Sequence, residues 1–215
     1  MKYDLPRGYL SYSAFDLWCR NKDQFRKRYY ESEKPFETPE TLFGKKIAEM
    51  IENNEHHDDK IVSKIINYPC KEYEIEVDVK GLKIVGRLDQ FHDTEYRVHE
   101  IKTGHRSPSG KVPWDPVKVR KHKQLVWYSL LVELKHGKVH PEVILQWIET
   151  KFSRKSVEFD GHTLTANSRQ LELTGTIKTF KRRIHKWERI KLLKEIQKTA
   201  ADISEDYKLW KKTRN

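Results

Sequence analysis

Lys71-Glu72-Tyr73-Glu74-Ile75-Glu76-Val77-Asp78-Val79 alternates charged and apolar residues. Two short segments follow: Leu82 to Phe91, which contains Gly86-Arg87-Leu88-Asp89, and Glu95 to Thr103, which contains Glu100-Ile101-Lys102. A period of two reads as a half-buried strand. Lys80-Gly81 and His92-Asp93-Thr94 are turn sequences, so the three segments are expected to form an antiparallel meander. If the second and third strands pair as a hairpin, Asp89 and Glu100 come close at its open end. Glu100 and Lys102 are two residues apart, and strand pleating puts them on one face.

Two carboxylates and an ammonium at one spot match what phosphodiester hydrolysis requires. Carboxylates hold Mg²⁺ or Mn²⁺, hard cations that prefer oxygen ligands. Such an ion polarises a phosphate and lowers the pKa of a water, and a lysine beside that water stabilises developing charge. The main-chain carbonyl of Ile101 offers one more oxygen. The plainer alternative is a hairpin whose polar face carries an exposed Glu–Lys pair.

Upstream of the meander, Ser13 followed by Asp16 reads as a capping box opening a helix to about Tyr30. Thr38-Pro39 starts a second helix, with proline where its missing N–H costs nothing. A third, short helix is expected over Ile61 to Ile66, and His56-His57-Asp58-Asp59 reads as a solvated turn. Downstream, Gly104 to Pro116 is a polar loop, Val117 to Lys135 a helix and Val143 to Glu149 a strand. Residues 151 to 173 suggest a further hairpin. From Ile177 to Trp210 apolar residues recur by threes and fours, as in one long amphipathic helix or a helical pair. The fold class is therefore α/β or α+β: a mixed central sheet flanked by helices, with a core over residues 1–175 and a basic helical extension over 176–215.

With Gly86-Arg87-Leu88-Asp89 and Glu100-Ile101-Lys102-Thr103-Gly104 in hand, the chain resembles PD-(D/E)xK nucleases. The resemblance is to their RecB-like branch, which includes nuclease domains of bacterial recombination helicase–nucleases and CRISPR-associated spacer-acquisition exonucleases. Gln124-Leu125-Val126-Trp127-Tyr128 is similar to that branch's Q-L-x-x-Y helix motif. Leu10-Ser11-Tyr12-Ser13, Trp18-Cys19-Arg20, Phe25 and Tyr29 are similar to its opening helix. The matches run in family order from about residue 10 to 150.

The resemblance implies a restriction-endonuclease-like core and a metal-dependent deoxyribonuclease of exonuclease type, acting in DNA recombination, repair or processing. Asp89 and Glu100 would be metal ligands and Lys102 the catalytic lysine. Gln124 and Tyr128 would flank the site, although a helix face packed on the sheet explains them as well. Two departures from the pattern matter. The branch's G-x-x-x-H-E reads here Gly44-Lys45-Lys46-Ile47-Ala48-Glu49, so Ala48 stands in place of a metal-binding histidine and Glu49 is a candidate substitute ligand. No cysteine follows Cys70, so no iron–sulfur cluster is expected, and Cys19 is expected to be a small buried residue. A structure-specific or restriction-like endonuclease, and a non-catalytic nucleic-acid binder, remain as alternatives.

The net charge of +11 favours polyanionic partners, DNA first, single- or double-stranded. Residues 176–215 supply most of it, with 13 Lys or Arg against 5 Asp or Glu. Candidate contacts to DNA are Arg106, Lys111 and Trp114 in the loop, with His105 beside them, and Arg120, Lys121 and Lys123 before Gln124. Basic residues of the extension, including Arg182 and Arg189, form a possible clamp. Two cysteines exclude a disulfide framework. No stretch reaches 18 apolar residues and no apolar leader opens the chain, so no membrane association is expected and a cytoplasmic location is. There is no G-x-x-x-x-G-K-[ST] run, so helicase action would come from a separate helicase or recombination protein.

Overall fold

A computed structural model describes residues 3–35, 37–53, 55, 62–153 and 170–214. In chain order its elements are β1 (Leu10–Ser11), α1 (Tyr12–Arg20), α2 (Lys22–Tyr29), α3 (Pro39–Glu52), a 3₁₀ turn (Val62–Lys64), β2 (Cys70–Val79), β3 (Leu82–His92) and β4 (Arg97–Gly104). There follow α4 (Pro116–Lys121), α5 (Lys123–His136), β5 (Glu142–Ser153), β6 (Gln170–Arg183) and α6 (Lys186–Arg214). The result is a mixed six-stranded sheet flanked by helices, the expected class.

The meander is present, and β3 is its axis. β2 pairs antiparallel along one edge of β3, from Cys70↔Phe91 to Val79↔Leu82. The other edge is divided between two strands. β1 lies parallel to it at Ile84 and Val85, and β4 antiparallel at Gln90, Phe91 and His92. Among the described residues no strand covers positions 86–89 on that edge. Past His99, β4 leaves β3 and runs parallel to β5, from His99↔Ile144 to Gly104↔Glu149.

The two faces of the sheet are covered differently. Residues Leu125 to Val132 of α5 are all buried, and the helix packs on β2, β3 and β4. Gly86 is required by this approach: a Cβ there would come within 2.5 Å of Leu131 Cδ1 and 3.2 Å of Tyr128 Cε1. On the opposite face Phe43, Ile47 and Ile51 of α3 pack with Ile65, Ile148 and Leu171 in a smaller cluster. Trp147 and Ile148, adjacent on β5, thus serve the two cores separately, as strand alternation requires.

Several boundaries differ from the sequence expectation for local reasons. The first helix is capped by Ser11, which accepts the Ala14 N–H at 3.3 Å, and not by Ser13. It breaks at Asn21, whose extended backbone (φ −155°) lets its side chain cap α2 through Gln24 N–H. Thr38 and Pro39 open α3 as expected. In place of a helix over 61–66 there is the single 3₁₀ turn, with Ile61 outside the described residues; so is the His56–Asp59 segment. The helix expected over 117–135 divides at His122.

The expected helix from Ile177 is the largest correction. Residues through Arg183 are β6, paired antiparallel with β5, so the sheet crosses the boundary drawn at 175/176, and the helix begins at Lys186. Ile177, Phe180 and Ile184 mimic helical spacing, but strand alternation turns Arg182 inward. Its guanidinium donates to the carbonyls of Val119 at 3.2 Å and His122 at 2.8 Å, satisfying the C-terminal end of α4. Of the hairpin expected over 151–173, the pairing Ser153↔Gln170 is present, and residues 154–169 lie outside the described residues.

α6 buries Leu192, Ile196, Ala200 and Ile203 in the main core, each large apolar side chain contributing about 1.5–3 kcal/mol. Its second half clasps the first helices. Asp206 accepts two hydrogen bonds from Arg26, at 3.0 and 2.6 Å, and one from the Tyr30 hydroxyl at 2.9 Å. Ser204 Oγ accepts the Asp4 N–H at 2.9 Å. Among the described residues no helix is long and apolar enough to cross a membrane.

Candidate active site

Where β4 leaves β3, the Asp89 side chain fills the gap. Its Oδ2 accepts the backbone N–H of Ile101 at 2.6 Å, a carboxylate standing in for a missing ladder partner. The N–H and C=O of one extended residue leave a strand on the same edge, so the Ile101 carbonyl opens toward this gap. Glu100 lies beneath it, fully buried, with neither carboxylate oxygen in a hydrogen bond of ordinary geometry. The Lys102 ammonium is in ion contact with Glu100 Oε1.

The three groups control one another's charge. Burial and the neighbouring Asp89 carboxylate push the Glu100 carboxyl up to about 8, against the pull of Lys102. Burial also raises Asp89, offset by Lys102 and the Ile101 N–H. Burial lowers Lys102, but Glu100 and Asp89 outweigh it and leave the ammonium above the usual lysine value. The site therefore holds its lysine charged, while its carboxylates lack enough positive charge to ionise freely.

A cleft of about 500 Å³ opens onto this cluster, lined by Asp89, Lys102 and Glu72 of the sheet and Gly44, Ala48 and Glu52 of α3. Gly44 permits the close approach, since a Cβ there would lie 3.0 Å from Thr103 Oγ1. Ala48, in the histidine's place, faces the cleft. Glu49 is exposed and does not line it; Glu52, one turn on, does. Among the described residues no three His, Cys, Asp or Glu side chains converge as a metal cage. Mg²⁺ does not need one, because it keeps several waters and takes one or two carboxylates. Glu100, whose Oε2 has no hydrogen-bond partner among the described residues, Asp89 and the Ile101 carbonyl fit such an ion.

Gln124 and Tyr128 are brought together, Gln124 Nε2 donating to the Tyr128 hydroxyl at 2.8 Å. They line a neighbouring cleft of about 720 Å³ with Tyr12 and Arg87. Burial first, then the Glu100 charge, raises the Tyr128 phenol. Tyr128 is thus both a core residue and a neighbour of the carboxylates. His122, at the break before α5, is lowered to about 4 by burial and then by Lys102.

The expected DNA contacts fare unevenly. Lys111, Arg120 and Lys121 are exposed. Arg106 is ion-paired with the buried Glu149. Trp114 is half-buried against the core and meets His122 edge-on, with ring centroids 4.9 Å apart. Lys123 bonds Glu195 of α6 at 2.7 Å. Arg182 and Arg189 are buried, Arg189 holding Glu133 at 2.7 and 3.0 Å, so neither belongs to an outer clamp. Cys19, expected inside, is exposed.

Glu72 and Glu52 are the site residues that sequence reasoning passed over. Glu72 reads as one more charged residue on the outer face of β2. The signal was in the turn: continuing the register from Val79↔Leu82 down the hairpin brings Glu72 opposite Asp89.

Comparison by sequence finds no matching protein-family model and no matching curated protein. Comparison by structure does. A Eubacterium rectale protein provisionally named as an exonuclease superimposes with a TM-score of 0.57 at 10% identity, covering 94% of this chain and 83% of that one. A phage-related exonuclease from Haemophilus somnus 129PT gives 0.54 at 10% identity, over 90% of this chain and 82% of its own. The chain shares the fold of these two proteins.

Proposed function

We propose that this protein is a Mg²⁺- or Mn²⁺-dependent deoxyribonuclease of the PD-(D/E)xK type that degrades DNA from its ends. The observation that carries the reading is the fully buried Glu100 carboxylate beside the half-buried Asp89 carboxylate, at a gap in the sheet, with the Lys102 ammonium against Glu100. Two neighbouring carboxylates sharing one ammonium away from water are costly, and a divalent cation offsets that cost. The fold shared with two proteins named as exonucleases agrees with it.

Asp89, Glu100 and the Ile101 carbonyl would hold the cation. The cation supplies Lewis acidity to the phosphate and lowers the pKa of a water. Lys102 orients that water and stabilises the charge that builds as its oxygen bonds to phosphorus and the opposite P–O bond breaks. The Gln124–Tyr128 pair walls the site on the α5 side, and exposed Lys111, Arg120 and Lys121 draw the DNA backbone toward it.

The test is degradation of linear and covalently closed circular DNA, single- and double-stranded, with Mg²⁺, Mn²⁺ or EDTA, for wild type and Lys102→Ala. Cation-dependent loss of linear DNA alone, abolished by the substitution, is the expected result. Cutting of closed circles would replace the exonuclease reading with an endonuclease one. Binding without cleavage under every cation would sink the catalytic reading.

A further inference from the structure

Glu72 is held in an unusual way. It occupies the left-handed region at φ +46°, as do Ser32, Lys80 and Tyr96, but Glu72 is the one of these four that lies inside a strand. The ladder between β2 and β3 is continuous from Lys71↔Gln90 to Tyr73↔Leu88 except at this step, where Glu72 faces Asp89. A non-glycine residue in this conformation persists only where its surroundings fix it, and such residues cluster at functional sites. Its side chain is largely buried, with 17% exposed, and Arg87 Nε is in ion contact with its Oε2. Burial first, then the Asp89 charge, opposes its ionisation.

A group of carboxylates alone would say little, but Glu100 adds a second fact. It is fully buried beside Asp89; its Oε1 meets the Lys102 ammonium, and its Oε2 has no hydrogen-bond partner among the described residues. The cluster therefore sets three carboxylates, Glu72, Asp89 and Glu100, against two cations, Lys102 at its centre and Arg87 at its rim. Ala48 provides no ligand from α3.

We propose that Glu72 is a third carboxylate of the cation site, and that Arg87 competes with the cation for it. The inference rests on the cation-dependent reading above. Arg87 holds Glu72 off the Asp89–Glu100 pair, which agrees with the lack of a three-residue cage among the described residues. Arg87 also lines the cleft that holds Gln124 and Tyr128. A DNA phosphate arriving there would take its guanidinium and release Glu72 toward the cation, so that substrate tightens the site it needs.

The experiment is Mn²⁺ binding without DNA, followed by the loss of the free-ion electron paramagnetic resonance signal, with circular dichroism melts to confirm folding. Glu72→Gln is expected to weaken binding by about 10-fold or more, and Arg87→Gln to tighten it roughly 2- to 5-fold. In the double variant the gain from Arg87→Gln should vanish. Equal tightening with and without Glu72 would mean a general field effect and overturn the proposal. So would wild-type affinity in Glu72→Gln when Asp89→Asn loses binding. If Asp89→Asn binds as wild type does, the underlying cation reading itself fails. Should Glu72→Gln not fold, Arg87→Gln decides alone: unchanged or weaker binding overturns the proposal.

Discussion

The Asp89 carboxylate accepts the Ile101 backbone N–H at 2.6 Å across the point where β3 and β4 part. One oxygen is therefore a structural strut, while the group as a whole faces the cleft. Asp89→Ala should leave the Ile101 N–H without its partner and destabilise the fold by about 1–3 kcal/mol. Asp89→Asn keeps an acceptor and should melt near wild type. Both should lose cleavage. Denaturant melts beside a DNA-degradation assay separate the two roles, and equal melts for the two variants would refute the strut.

Lys102→Met removes the charge that balances Glu100 and Asp89. Cleavage should fall by roughly 10²- to 10³-fold, the scale of losing one aimed electrostatic donor. Because the remaining carboxylates then repel one another more, stability should also fall more steeply with rising pH than in wild type. Single-turnover rates and melts across pH 6 to 9 check both.

Cation binding should depend on pH in a defined direction. The Glu100 carboxyl is raised from an ordinary 4.5 to about 8, so the folded state holds its proton more tightly than the unfolded chain does. Its stability contribution is complete below about 4.5 and is lost as pH rises toward about 8. Proton and cation compete for the same oxygens, so Mn²⁺ should raise the Tm more at pH 8 than at pH 6. EDTA should remove the shift and Glu100→Gln should reduce it. A shift independent of pH would count against Glu100 as a ligand.

His99 carries the opposite sensitivity. Burial, then Lys71, lowers it from 6.5 to about 3. The unfolded chain therefore takes up a proton first as the solution is acidified. Stability is full above about 6.5 and is lost as pH falls toward about 3, at up to about 1.4 kcal/mol per pH unit for one proton. His122 adds in the same direction. His99→Leu should flatten part of that acid limb in urea titrations, and an unchanged limb would remove His99 from the account.

Gly86→Ala should place a methyl group 2.5 Å from Leu131 Cδ1 and 3.2 Å from Tyr128 Cε1. Overpacking of this kind costs about 1–3 kcal/mol. The displaced Tyr128 should also lose its bond to Gln124. A lowered Tm with altered near-ultraviolet circular dichroism is the expected outcome.

What could be read without coordinates follows the range over which each signal acts. The meander, its turns and the meeting of Asp89, Glu100 and Lys102 are local, set by two-residue alternation and tight turns. Thr38 and Pro39 identify their helix start by side-chain chemistry alone. The strand over 177–183 was hidden because its apolar spacing also suits a helix and its partner strand is remote in sequence. Arg182 looks like a surface cation until the carbonyls of α4 appear beside it. Arg106 and Lys123 likewise look free until Glu149 and Glu195 are found against them. Charge count shows how many cations there are, and only packing shows which are already engaged.

The clasp of α6 on α2 has a bearing on the order of assembly. Arg26 and Asp206 are 180 positions apart in sequence, and a contact of that span forms only after the intervening chain has been brought together. The meander around Asp89 and Glu100, by contrast, closes over a few tens of residues. During synthesis the candidate site is therefore laid down well before the clasp that locks the first helices in place, so early intermediates should carry an assembled sheet with its N-terminal helices still unfastened.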